Sequence, residues 1–89
     1  MNNKHRSTLE AIFSDPVRSN IRWSEIEALL KALDARISEG RGSRVRIHIN
    51  EMDAVFHRPH PKPDTDKGAV KAMRRFLESA GITPSGGKL

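Results

Sequence analysis

One six-residue stretch, Arg44 to Ile49, carries the side chains best suited to chemistry. Val45, Ile47 and Ile49 alternate there with Arg44, Arg46 and His48. Successive side chains of a β-strand point to opposite faces, so an inward aliphatic set leaves two guanidinium groups and one imidazole together on the open face. The guanidinium fork matches the oxygens of a phosphate. Imidazole is the side chain whose ordinary pKa suits proton transfer near neutrality. The pattern thus points to phosphate binding with proton transfer, although a half-buried antiparallel strand also shows polar residues on its solvent face as a matter of course.

The following strand, Ala54 to Arg58, admits two registers. With Ala54 and Phe56 inward, His57 joins the open face across from Arg46; with Val55 inward, His57 is buried. Burying Phe gains more than burying Val, which favours the first. Beyond it, Arg58 and His60 stand among Pro59, Pro61 and Pro63. His57 and His60 find no evident third metal ligand, so no metal and no cofactor is assigned, and His5 at the N-terminus is given no role. Lys67, Lys71 and Arg74 follow at i, i+4 and i+7, which predicts a basic ridge on one helix face. Its N-terminal end also suits phosphate. Aromatic residues make up only 4% of the chain, which argues against single-strand binding by base stacking. Backbone and shape recognition, as for double-helical RNA, fits better.

The elements that must hold these residues can be read in order. Ser7-x-x-Glu10 has the form of a capping box, opening a helix of about two turns that Pro16 stops. A second box, Ser24-x-x-Glu27, opens a helix with the stripe Ile26, Leu29, Leu30 and Leu33, and Trp23 precedes it as a hydrophobic staple. Arg36 to Glu39 predicts a short strand and Gly40-Arg41-Gly42 a turn. Asn50 to Asp53 should contain the next hairpin connection, and the prolines predict a rigid extended connector. Asp64, Thr65 or Asp66 can cap the last helix, whose stripe is Ala69, Val70, Met73, Phe76, Leu77 and Ala80, with Gly81 as its left-handed terminator. The expected fold class is α+β: a small three-stranded antiparallel sheet with helices on one face. Residues 1–20 read as an N-terminal helical extension, 21–82 as the domain and 83–89 as a flexible tail.

Eighty-nine residues suit one domain. The chain has no cysteine, which excludes disulfides, thiolate metal sites and a Cys nucleophile. It has no apolar run long enough to span a bilayer and no signal-peptide segment, so a cytoplasmic location and no membrane role are expected. A net charge of +5 and a pI near 10.2 favour polyanionic partners.

In this order and spacing, the capped helix from Ser24 to Leu33, the turn Gly40-Arg41-Gly42-Ser43, the post-strand His60-Pro61 and the helix ending Ala80-Gly81-Ile82 resemble the HicA family, the toxin half of HicA–HicB toxin–antitoxin pairs. The likeness covers Ile21 to Ile82. It implies a double-stranded-RNA-binding-domain-like α-β-β-β-α fold, metal-independent cleavage of mRNA and neutralisation by a HicB-like antitoxin. Many HicA proteins place their proposed catalytic His directly after the Gly-Ser pair, where this chain has Arg44. An arginine stays protonated and makes a poor general base. His48 and His57 are therefore the expected catalytic residues, and Arg44, Arg46, Arg58, His60, Lys67, Lys71 and Arg74 the expected RNA contacts. A non-catalytic RNA-binding domain and a basic protein-interaction module are the rival readings. DNA reading by the last helix is disfavoured, since a sheet separates it from any helix-turn-helix partner.

Overall fold

The alternation from Arg44 to Ile49 is realised as a central strand with Val45, Ile47 and Ile49 buried. A computed structural model describes residues 2–85. Its elements are α1 (Asn3–Ile12), β1 (Ile21–Arg22), α2 (Trp23–Ala32), β2 (Arg36–Glu39), β3 (Arg44–Ile49), β4 (Met52–His57), β5 (Asp64–Thr65) and α3 (Lys67–Ser79). Strands β2, β3 and β4 form one antiparallel sheet in that order. Helices α2 and α3 pack on its apolar face, and α1 lies against both helices. This is an α+β fold consistent with the double-stranded-RNA-binding-domain-like arrangement, carrying an additional N-terminal helix. No described helix is long and apolar enough to cross a membrane.

The β3–β4 hairpin is tighter than its sequence suggests. Asn50 and Glu51 alone make the turn, both with positive φ, +50° and +68°, the backbone of a type I′ connection. The returning strand therefore begins at Met52 rather than Ala54 and ends at His57 rather than Arg58. Phe56 is 6% exposed and Val55 49% exposed, so burial of the larger ring sets the register as expected. The tight turn shifts the pairing, however: His57 lies opposite Arg44, and Val55 takes the place opposite Arg46.

Neither Ser-x-x-Glu pair is a capping box. Helix α1 starts at Asn3, capped by Asn2, whose side chain accepts from the His5 amide at 2.8 Å. Ser7 is thus interior, and His5 lies in the first turn of the helix. Helix α2 starts at Trp23, with no side-chain cap. Glu27 instead accepts from the Trp23 indole within the same helix and from Arg58, so its carboxylate does not close a capping box. Among the three candidate caps of α3 only Asp66 serves, accepting from the Ala69 amide at 2.8 Å. Asp64 and Thr65 form β5, which pairs with β1 in a two-stranded ribbon within the expected extended connector. Gly81, at φ +82°, ends α3 in a Schellman motif: its amide bonds Glu78 and the Ile82 amide bonds Leu77.

One hydrophobic cluster joins all three helices to the sheet. It includes Leu9 and Ile12 of α1, Ile26, Leu29 and Leu30 of α2, and Val70, Met73 and Leu77 of α3. The expected tail lies outside the described residues from position 86 onward.

Candidate nucleic-acid interface

Strand register arranges the open face of the sheet in three rows. Arg36, His48 and Asp53 form one; Ser38, Arg46 and Val55 the next; Arg44 and His57 the last. All are exposed except His48, which is half-buried. Arg36, Arg44 and Arg46 have no carboxylate within ion-pair distance among the described residues. Three guanidinium forks are therefore free to meet phosphate oxygens.

His48 is held in place. Its Nδ1 lies 2.8 Å from Asp53 Oδ1 across the β3–β4 pair. Against a carboxylate, Nδ1 is the donor of this bond, which fixes the orientation of the ring. Arg36 and Asp53 were not among the sequence-derived candidates. Arg36 sits on a strand too short to show its face, and Asp53 was assigned to the turn. The two-residue Asn50-Glu51 turn places Asp53 opposite His48, while Arg36 is placed there by the pairing of β2 with β3.

The two expected catalytic histidines do not meet. Four residues separate their rows, which at strand rise puts their backbones about 14 Å apart. One phosphate cannot engage both.

Arg58 and Arg74 are placed differently from the other cations. Arg58 is forked between two carboxylates: Nε to Glu27 at 2.7 Å, and Nη1 and Nη2 to Glu39 at 2.6 and 2.9 Å. Donating to Glu39 and then to Glu27 pushes its pKa still further up. Arg58's hydrogen bonds hold the Glu39 carboxyl below its ordinary value. Burial alone would raise Glu27, but the bonds from Arg58 and Trp23 outweigh it and leave it lowered. Arg74 turns away from the expected ridge. It donates to the carbonyls of Ile12 at 3.0 Å and Ser14 at 2.7 Å, with its guanidinium 5.9 Å from the Phe13 ring centre. Lys67 and Lys71 remain as the exposed cations of that helix face.

At the His57 end of the face the proline connector folds into a cavity of about 390 Å³, lined by His57, His60, Lys62, Asp64 and Asp66 among others. Its backbone is pinned at both ends. The Arg58 amide donates to Ser43 at 2.8 Å and the Trp23 amide to Pro63 at 3.0 Å. Among the described residues no three His, Asp or Glu side chains converge to hold a metal.

A family model described as the HicA toxin of bacterial toxin-antitoxin matches residues 23–82, from the first residue of α2 to just past α3. No curated protein matches the chain. No solved structure does.

Proposed function

The chain belongs to the HicA toxin family, and from that premise we propose that it inhibits translation by binding mRNA on its open sheet face and cleaving it without a metal. Toxins of such pairs act opposite an antitoxin, and a HicB-like protein is the proposed partner, in the cytoplasm. The observation that carries the reading is the set of three unpaired guanidinium groups, Arg36, Arg44 and Arg46, on one exposed face with His48 and His57 at its two ends. That face offers phosphate contacts and proton transfer together, with only Val55 as an exposed large apolar residue among those described.

In this mechanism a general base takes the proton of a ribose 2′-OH, the oxygen attacks the adjacent phosphorus, and the P–O5′ bond breaks. A general acid protonates the departing 5′ oxygen. The products are a 2′,3′-cyclic phosphate and a 5′-OH. Arg44 and Arg46 stabilise the charge that builds on the phosphoryl oxygens. His48 and His57, at opposite ends of the face, are alternative candidate proton-transfer groups, and Lys67 and Lys71 bind flanking phosphates. Arg58 and Arg74 are assigned to the fold, because carboxylates and carbonyls already occupy them.

Arg44, at the position where many family members carry histidine, favours a second reading in which the face binds RNA and does not cut it. End-labelled structured RNA incubated with the purified, antitoxin-free chain in excess EDTA separates the two. Fragments ending in cyclic or 3′ phosphate support cleavage. Retained but intact RNA refutes it and leaves the binding domain.

A further inference from the structure

Resting on that reading, we infer that His57 and His60 act as a pair on one RNA phosphodiester, bound in the connector cavity beside Arg44. The alternative centre at His48 lacks a second imidazole. Its Nδ1 is already bonded to Asp53, and the next histidine on the face is about 14 Å away. A 2′-OH transfer needs one group to accept a proton and another to donate one, both within reach of a single phosphate.

The His57 end brings two imidazoles to one cavity. His57 and His60 line the same cavity, and neither imidazole has a hydrogen-bond partner among the described residues. About 390 Å³ falls within the size range of small-ligand sites, and the depression is open to solvent, with His57, His60 and Lys62 exposed along it. Arg44 stands directly across from His57 in the strand pair, at a Cβ separation of about 5 Å, and Lys62 adds a second cation from the cavity wall.

Two carboxylates also line the cavity, from β5 and from the start of α3. Asp66 is turned to its helix as the cap, which leaves Asp64 as the unengaged anion. That anion keeps affinity for a lone mononucleotide modest, so the longer RNA must be held by the arginines of the open face. The connector is also fixed before substrate arrives. Arg58 is gripped by Glu27 and Glu39, its amide bonds Ser43, and Pro63 accepts from Trp23. Groups held in place in advance lose less entropy when they act. One imidazole, neutral, takes the 2′-OH proton as the O2′–P bond forms. The other, protonated, gives its proton to the 5′ oxygen as the P–O5′ bond breaks.

The first test is an NMR titration of the four histidines with uridine 3′-monophosphate. The His57 and His60 ring signals should move together along one binding curve, while those of His5 and His48 stay. Movement of His48 alone, or no movement of the pair at saturating nucleotide, overturns the proposal. The second test is single-turnover cleavage in EDTA. His57→Ala and His60→Ala should each lower the rate by at least about 100-fold with RNA retention within about threefold of the parent, and His5→Ala should match it. Full-rate cleavage by His60→Ala overturns the pairing. A parent chain that cleaves nothing while the pair still moves with nucleotide refutes the nuclease reading and leaves His57 and His60 as a phosphate-binding subsite.

Discussion

Glu27→Ala tests whether accepting from the Trp23 indole, and not capping the helix, is what this carboxylate provides. Glu27 accepts from the indole N–H of Trp23, a residue only 5% exposed that packs on Phe56 with ring centres 5.9 Å apart. Removing the acceptor leaves a buried donor unsatisfied, which costs about 1–3 kcal/mol. Arg58 keeps its bonds to Glu39 and a partly solvated position, so its loss of one partner adds little. Total stability for a chain of this length is about 4–13 kcal/mol, so a loss near 2 kcal/mol is large. At about 4–8 °C per kcal/mol for a domain of this size, it should lower Tm by about 8–16 °C. Thermal unfolding followed by circular dichroism reads this directly. The decisive comparison is the same substitution in a Trp23→Phe background, where the donor is already gone and the extra loss should be at most a few degrees. An equal loss in both backgrounds refutes the argument and assigns the role of Glu27 to Arg58 alone.

Glu27 and Glu39 both titrate below their ordinary values, so they stabilise the fold above the unfolded carboxylate pKa and cease to as pH falls through the folded one. Tm should therefore drop steadily on acidification below about pH 5, and Glu27→Gln should flatten that slope. Glu51 holds φ +68° in the second turn position, which suits glycine; Glu51→Gly should raise stability by about 0.5–1 kcal/mol in urea unfolding. Arg74→Ala removes the bonds to Ile12 and Ser14, so thermolysin should cut between α1 and β1 several-fold faster, while Arg75→Ala on the exposed side should not change the rate. Arg44→Ala and Arg46→Ala should each reduce the slope of log RNA affinity against log salt by about 1, measured by filter binding over a salt series.

Much of the sheet was legible because its signals are local. The alternation of Val45, Ile47 and Ile49 gave β3, and the difference in burial between Phe56 and Val55 gave the face of β4. The turn lies within the expected Asn50 to Asp53. The returning strand starts two residues earlier than expected because Glu is an unusual residue at the second turn position, and His57 lies opposite Arg44 instead of Arg46. The Ser-x-x-Glu pairs have the form of capping boxes, but Glu27 is claimed by Trp23 and by Arg58, a residue 31 positions away. Arg74 follows the same rule. Helical spacing placed it with Lys67 and Lys71, whereas its acceptors are carbonyls about 60 residues earlier. The β1–β5 ribbon has two residues per strand, too few for any period to show. Which cations were free for phosphate was therefore a question of tertiary partners, and composition and spacing do not contain it.

The placement of Leu9 and Ile12 bears on where the working unit of this protein begins. The span matched by the family starts at residue 23, but these two side chains, upstream of it, are 2% and 0% exposed in the same core as Met73 and Leu77. A chain trimmed to the family span would leave the facing sides of α2 and α3 bare, as an oily seam ready to stick to other molecules. The first helix works as a gasket over that seam, with Arg74 as its latch. Deleting the first helix acts on the scaffold that holds the sheet's open face, even though that helix supplies no residue of the face.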